Sequence, residues 1–293
     1  MPKGRALPER IFIVGAGVVG FASGQALLSL GHRVTFIDNR VERCDELRDE
    51  GFDASTAITL DDDRSIIALS VPTPSVGAAY DLSHLRNAVA TVAEAIRSRG
   101  GHHIVVVRST VAPLTCDTVV APLLHDVLRG SHGTADVASV PEFLRQASAY
   151  EDALHPAVTV IGAADAEVRS RLKQVFGSLG GEMHLFDNAA TAELVKITHN
   201  CFNAAKISFF NEIHELAARV GIDGNDVASV VVRSAEASTN PEYGTRGGYA
   251  FGGACLPKDL DGLIAFAHER SLEVPLLRSV RTVNEQLAAK VRA

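Results

Sequence analysis

The 293-residue sequence predicts an α/β fold in which a doubly wound parallel sheet is followed by an all-helical domain built on one long helix. Short apolar runs alternate with amphipathic segments up to about residue 187, as strands and helices do in such a sheet. Residues 189–219 then contain no glycine or proline and have apolar residues at helical spacing. We therefore expect one domain over residues 1–187 and a helical domain over residues 188–293.

The composition is that of an ordinary globular protein, with 46% hydrophobic and 22% charged residues. Twenty-eight basic against 35 acidic side chains give a formal charge of -7, and no basic run is long enough to follow a phosphate backbone, so no nucleic-acid partner is expected. The four cysteines form no paired or metal-binding spacing, which favours a reducing, cytoplasmic compartment and no metal site. The uncharged stretch 11–30 resembles a membrane span, but four glycines interrupt it, so no membrane association is expected.

A glycine-rich turn joins the first strand and helix. Strands are predicted at 10–14 and 33–37, and the turn after the first reads Gly15-x-Gly17-x-x-Gly20. Gly15 would permit the tight turn, Gly17 the close approach of a pyrophosphate, and Gly20 the close packing of helix on strand. This strand, turn and helix are typical of a Rossmann-type dinucleotide-binding domain.

The acidic residue after the second strand predicts which dinucleotide binds. Asp38 would accept hydrogen bonds from the adenosine ribose and repel a 2'-phosphate, which favours NAD over NADP. Arg40 and Arg43 lie close by and leave NADP open. The helix N-terminus at Val18 and Val19 would face the phosphates.

The alternation continues to residue 187. Strands are predicted at 65–71, 104–108, near 140, 155–162 and 183–186, with helices at 82–99 and 164–179. Polar turns follow two of these strands, at Val71-Pro72-Thr73-Pro74 and Ser109-Thr110-Val111. Ligands of doubly wound sheets bind beyond the carboxyl ends of the strands, so the serine and threonine hydroxyls of these turns could contact a ligand. Alternatively, they serve only as ordinary turn or cap residues.

The long helix at 189–219 carries two polar residues near its start. Its thirty-one residues would span about 46 Å at 1.5 Å per residue. Lys196 and Asn200 lie four residues apart and so share one face. From position alone they are either a functional pair or plain solvated surface.

The segment Phe251-Gly252-Gly253-Ala254-Cys255-Leu256-Pro257-Lys258-Asp259 ends a long glycine-rich loop. A helix is predicted at 257–269, between others at 226–234 and from 274 onward. The positive end of that helix and a lysine three residues on would favour the thiolate of Cys255. The cysteine is therefore either a nucleophile or a small buried hydrophobe.

These segments together resemble the UDP-glucose/GDP-mannose dehydrogenase family over nearly the whole chain. The motifs that carry the resemblance are the glycine turn, Val71-Pro72-Thr73-Pro74, Ser109-Thr110-Val111, Pro141-Glu142-Phe143-Leu144-Arg145, Ala192-Glu193-Leu194-Val195-Lys196, Ile207-Ser208-Phe209-Phe210-Asn211-Glu212 and the Cys255 segment. The resemblance implies NAD-dependent oxidation of a primary alcohol on a nucleotide- or nucleoside-linked sugar, through a thioester on a catalytic cysteine, to a carboxylate. It also implies a homodimer formed through the long helix.

The resemblance assigns roles residue by residue. Cys255 would be the nucleophile, and Lys196 and Asn200 would stabilise the oxyanion. Asp259 would act with a water as base, while Thr110 and Glu142 would position water and substrate. The cofactor contacts it implies outside the glycine turn are Asp38, Arg43, Val71, Pro72, Thr73, Ser109, Thr110 and Lys258.

The chain also departs from the family pattern. The family's STVPPGT becomes Ser109-Thr110-Val111-Ala112-Pro113-Leu114-Thr115, and the sequence ends before the second Rossmann-like domain that holds the nucleotide, so a short form is expected. Two alternatives stay open: a two-electron dehydrogenase of another small sugar or a β-hydroxyacid, and a catalytically silent NAD-binding protein. Because β-hydroxyacid dehydrogenases have no need of the Cys255 segment, that segment argues against the first alternative.

Overall fold

The structure is a computed structural model that describes residues 8–76, 79–245 and 247–292. It consists of two compact units, Met1–His199 and Asn200–Ala293. The division between them falls inside the long helix, twelve residues beyond the boundary expected at residue 187.

The first unit contains alternating strands and helices. Its strands are β1 (Arg10–Val14), β2 (Arg33–Ile37), β3 (Ala54–Ser55), β4 (Ile66–Leu69), β5 (Ser75–Val76), β6 (Ala79–Tyr80), β7 (Gly101–Val107), β8 (Gly133–Ser139), β9 (Val158–Ala163) and β10 (Glu182–Phe186). Its helices are α1 (Val18–Ser29), α2 (Val41–Asp49), α3 (Ser83–Arg99), α4 (Ala121–Leu128), α5 (Ala149–Leu154) and α6 (Ala166–Phe176). A π-helical turn at Cys116–Val120 leads into α4.

Eight of these strands form one sheet in the order β10-β9-β8-β7-β4-β1-β2-β3, and β5 and β6 form a separate small hairpin. Within the eight-stranded sheet the pairs are parallel except β8 with β9, where Ala138 faces Ala163 and Ser139 faces Gly162. The sheet is therefore mostly parallel, with one antiparallel pair. A parallel pair needs a crossover that returns the chain to the amino edge of the sheet, whereas residues 140–157 lead it back in at the carboxyl edge.

Both faces of the sheet are buried, as expected for uninterrupted apolar strands. In β1, Ile11 and Ile13 point into one core and Phe12 and Val14 into the other. Because successive side chains of a strand alternate between faces, an apolar run of this kind needs a helical layer on each side. The doubly wound α/β fold class is confirmed.

The long helix α7 (Ala189–Arg219) has the bounds that the sequence predicted. The helices α8 (Gly224–Ser234), α9 (Glu236–Thr239), α10 (Leu256–His268) and α11 (Pro275–Arg292) follow it. A core of the second unit includes Leu216, Ile264, Ala267 and Leu277. The Glu212 carboxylate accepts the N–H groups of Leu276 at 2.6 Å and Leu277 at 3.2 Å, which ties α7 to the first turn of α11.

Across the described ranges, we find no helix that is both long and apolar enough to cross a bilayer. The same residues contain no cluster of histidine, cysteine and acidic side chains suited to a metal ion.

Candidate active site

The glycine turn between β1 and α1 has the geometry that its motif predicts. Gly15 has φ of +95°, and a Cβ there would lie 2.6 Å from the Ser70 carbonyl oxygen. A Cβ on Gly20 would lie 1.9 Å from the Gly15 oxygen, so the helix packs on the turn only with glycine. The space around Gly17 is open, since a Cβ there would contact nothing within 4 Å. The backbone at Gly17 is thus accessible to a ligand.

The first turn of α1 leaves its N–H groups free for an anion. Gly17 is the N-cap and offers no side-chain acceptor, and this turn carries no acidic side chain. Val18 is 52% exposed at the start of the helix, next to the half-buried Val19. A positive helix end that carries no acidic side chain in its own first turn fits the pyrophosphate of a dinucleotide.

Asp38 lies beside this turn, at the end of β2. Its buried carboxylate accepts the N–H of Ala16 at 2.9 Å and Nε of Arg40 at 3.0 Å. Burial opposes ionisation of Asp38, but the hydrogen bonds from Arg40 and from the Ala16 N–H outweigh it and lower the pKa of the carboxyl. The Asp38 carboxylate is therefore ionised in the folded protein.

The two arginines that left NADP open are both engaged within the protein. Arg40 pairs with Asp38, while Arg43 donates from Nε to the carbonyl of Ala16 at 3.0 Å. The Arg43 guanidinium also lies 4.9 Å from the centre of the Phe21 ring and pairs with Glu46. These bonds hold Asp38 and the adjoining glycine turn in place. Because both arginines are engaged within the protein, the arrangement agrees with a preference for NAD over NADP.

The polar turns after β4 and β7 lie side by side, as neighbouring parallel strands require. Ser109 donates from Oγ to the Val71 carbonyl at 2.7 Å, and Thr73 donates from Oγ1 to the Thr110 carbonyl at 2.6 Å. Pro72, between these contacts, is exposed. Two of the hydroxyls thus serve to join the turns, a role that sequence position alone left open.

Lys196 is buried rather than solvated. Its side chain is 7% exposed, and Nζ lies 3.3 Å from Oε1 of Glu142. The other oxygen of Glu142 accepts the N–H of Leu144 at 2.6 Å. The Lys196 ammonium also lies 5.3 Å from the centre of the Phe143 ring. Two predicted site residues are therefore brought together in the first unit by an ion pair shielded from water.

Two further residues of this region were missed by sequence reasoning. Arg108 is buried just before Ser109, and burial lowers the pKa of its guanidinium to about 10. It donates to the Ser23 hydroxyl at 3.1 Å, and the charge of Glu142 raises its pKa by a smaller amount. Glu193 is buried on α7, one helical turn before Lys196. The sequence signal for both is a charged residue at an apolar position, in the predicted strand for Arg108 and on the long helix for Glu193.

The second unit holds the remaining predicted residues. Cys255 is exposed and is the N-cap of α10, which begins one residue earlier than the sequence predicted. Lys258 and Asp259 follow in the first turn, with Nζ and Oδ1 3.4 Å apart and both side chains in solvent. Asn200 is also exposed, on α7. The interpretation of Cys255 as a buried small hydrophobe was wrong.

The other cysteines provide a contrast. Cys44 and Cys116 are buried, and burial raises the pKa of the Cys116 thiol. Cys201 is exposed, but it lies in the middle of α7 rather than at a helix end. Cys255 is thus an exposed thiol at a helix N-terminus.

The loop that presents Cys255 is held by a residue far away in the sequence. Asn284 of α11 accepts the N–H of Phe251 at 2.7 Å and donates from Nδ2 to the Phe251 carbonyl at 3.0 Å. This paired contact fixes the start of the glycine-rich segment. An asparagine in an amphipathic helix gives no sequence signal for such a role.

Comparisons with known proteins agree with this arrangement. Residues 50–179 match the NAD binding domain and residues 190–286 the central domain of the UDP-glucose/GDP-mannose dehydrogenase family. Residues 11–69 also match a TrkA-N domain. The GDP-mannose 6-dehydrogenase of Pseudomonas aeruginosa is 33% identical over 96% of this chain and 69% of its own length. The UDP-glucose 6-dehydrogenase of Rickettsia conorii is 30% identical over 94% of this chain and 66% of its own.

Solved structures give the same result. A ternary complex of the GDP-mannose dehydrogenase from Pseudomonas aeruginosa superposes with a TM-score of 0.88 at 32% identity, over 96% of this chain and 69% of that one. A UDP-glucose dehydrogenase from the archaeon Pyrobaculum islandicum superposes with a TM-score of 0.75 at 31% identity, over 98% and 70%. The chain therefore belongs to the UDP-glucose/GDP-mannose dehydrogenase family.

Proposed function

We propose that this protein oxidises the primary alcohol of a nucleotide-linked sugar to a carboxylate, using two NAD molecules in turn and Cys255 as nucleophile. The observation that carries the proposal is the exposed thiol at the N-terminus of α10, in a loop fixed by Asn284. A free thiolate needs a reducing environment, so we place the reaction in the cytoplasm.

The residues around the glycine turn fit NAD. The open backbone at Gly17 and the uncapped first turn of α1 would hold the pyrophosphate, and Asp38 would accept from the ribose. Bound NAD would supply the hydride acceptor for each oxidation. Val71, Ser109 and Thr110 follow the strands next to β1 at their carboxyl ends, where a doubly wound sheet places its ligands.

Cys255 would act after the alcohol has become an aldehyde. Its sulfur forms a bond to the aldehyde carbon, and the carbonyl oxygen takes a proton to give a thiohemiacetal. Loss of hydride and a proton from that adduct leaves a thioester. Water then adds to the thioester carbon, and the carbon–sulfur bond breaks to release the carboxylate and return the thiol. The alcohol loses four electrons in all.

The remaining site residues have roles that match their charges. The Lys196 ammonium and the Asn200 amide would donate to the oxygen on which negative charge develops. Asp259 would take protons through a water, since its carboxylate is exposed. Glu142 would hold both Lys196 and the attacking water, and Thr110 would position that water.

The substrate class follows from the relatives named above, which are dehydrogenases of GDP-mannose and UDP-glucose. A panel of GDP-mannose, UDP-glucose, the free sugars and a β-hydroxyacid, each with NAD, tests the proposal through NADH formation. We expect turnover with a nucleotide sugar only. Turnover with the β-hydroxyacid alone would contradict the proposal and indicate a two-electron dehydrogenase. NAD binding without any turnover would also contradict it and indicate a catalytically silent protein.

The protein is proposed to be a homodimer formed through α7. Large apolar side chains of the second unit are exposed, among them Phe202 at 65% and Ile207 at 62% on this helix. Exposed side chains of this size on one element favour association. Light scattering should give a dimer for the wild type and a monomer for Phe202→Glu. A wild-type monomer at high concentration would count against the proposal.

A further inference from the structure

A buried carboxyl group on α7 has no place in the mechanism above. Glu193 is 2% exposed and lies one helical turn before Lys196. Oε1 accepts the N–H of Cys116 at 2.8 Å, and Oε2 has no hydrogen-bond partner among the described residues. Burial raises the pKa of Glu193, and hydrogen-bonding groups of Cys116 and Leu114 act in the opposite sense. Removing such a group from water is unfavourable, so an apolar side chain would pack here at lower cost.

Cys116, the hydrogen-bond partner of Glu193, directly follows the segment 109–115 that carries Thr110. This 109–115 segment is fixed at its start, where Thr73 donates to the Thr110 carbonyl at 2.6 Å. Near its end Leu114 has φ of +72°, a left-handed conformation that a branched side chain rarely adopts. The Leu114 side chain is 53% exposed, so packing of the side chain contributes little to holding that conformation. The hydrogen bond from the Cys116 N–H to Glu193 anchors the chain two residues later.

We propose that Glu193 is a positioning residue that holds the 109–115 segment, and with it Thr110, at a fixed distance from the turn of α7 that bears Lys196. Glu193 and Lys196 lie three residues apart on α7. The hydrogen bond from Cys116 to Glu193 therefore fixes the position of Thr110 relative to the Lys196 ammonium. The Leu114 carbonyl accepts the N–H and Oγ1 of Thr118 at 2.8 Å each, and the Glu193 acceptor adds a fixed point at Cys116 that helps to maintain the strained conformation of Leu114. The role in catalysis rests on the proposed function, because Thr110 is placed at the site there.

The effect of losing Glu193 is expected on turnover rather than on binding of the sugar. In Glu193→Ala the strained Leu114 relaxes and the segment shifts, and small displacements of catalytic groups cost about 10- to 100-fold in rate. We expect kcat to fall by about that factor, with KM for the sugar changed by less than about threefold. Glu193→Gln keeps an acceptor oxygen, so its kcat should fall clearly less.

A double-mutant cycle with Leu114→Gly provides the decisive test, since glycine adopts a positive φ without strain. Leu114→Gly alone should change kcat by less than about twofold. In that background the loss caused by Glu193→Ala should shrink to about fivefold or less. Asp165→Ala is the matched control, because it also removes a carboxylate that accepts backbone N–H groups, at the start of α6. We expect the control to lower the melting temperature without changing kcat.

Two results would overturn the inference: an equal loss from Glu193→Ala in both backgrounds, or the same loss of kcat in Asp165→Ala. Hydrogen exchange gives a readout independent of turnover, and Glu193→Ala should speed exchange of the Cys116 amide at least about tenfold. If the wild type oxidises no sugar, the proposed function fails while faster exchange still supports the anchor. Unchanged exchange would contradict the anchor even in an active enzyme.

Discussion

Replacing Cys255 with serine is expected to nearly abolish the formation of carboxylate. A serine hydroxyl at neutral pH is a far weaker nucleophile than a thiolate, so the covalent adduct does not accumulate and the second oxidation fails. We expect acid production to fall by roughly 1,000-fold or more. The glycine turn and Asp38 belong to the first unit and are unaffected, so NAD binding should be unchanged within about twofold when measured by calorimetry.

Cys201→Ser is the matched control, because Cys201 is the other exposed thiol. It should retain at least about half of the wild-type rate of acid production. Equal acid production by Cys255→Ser and wild type would remove the nucleophile assignment. Equal losses in the two serine variants would show that the rate depends on thiols in general and not on the N-terminus of α10.

Lys196→Met should lower kcat by about 100- to 1,000-fold, the effect of removing a donor to a developing oxyanion. The same change leaves the carboxylate of Glu142, which is 13% exposed, without its closest cation. Breaking a buried ion pair in this way should lower the free energy of unfolding by about 3 kcal/mol. Steady-state kinetics and urea unfolding measure the two effects separately.

Glu142→Gln in the same chain separates catalysis from stability. The double variant Lys196→Met/Glu142→Gln removes both charges of the ion pair, so it should regain part of the stability lost in Lys196→Met while kcat stays low. Lys173→Met on α6 is the control, since Lys173 is exposed, and it should change neither quantity. A Lys196→Met variant with wild-type kcat would exclude Lys196 as an oxyanion donor.

Much of the first unit could be predicted because the signals are local. The turn at Gly15, Gly17 and Gly20 needs glycine for reasons that involve only the adjoining strand and helix. The bounds of α7 follow from the absence of glycine and proline between its ends. The proximity of the turns after β4 and β7 follows from parallel pairing alone.

The features that were missed depend on contacts between distant parts of the chain. Asn284 holds Phe251, and Glu193 holds Cys116 across 77 positions. The direction of β9 depends on the edge of the sheet at which the chain re-enters. The spacing of apolar residues in the sequence does not indicate that edge. The short helix α2 was also missed, because its buried residues are only Cys44 and Leu47 and it has no continuous apolar face.

The central claim is a four-electron oxidation through Cys255, and the ratio of NADH to carboxylate tests it most directly. NADH is followed by absorbance and the sugar acid is counted by mass spectrometry, with whichever nucleotide sugar of the panel turns over. The account predicts two NADH for each carboxylate released and no carboxylate from Cys255→Ser. A single NADH with an aldehyde or ketone as the final product would contradict it.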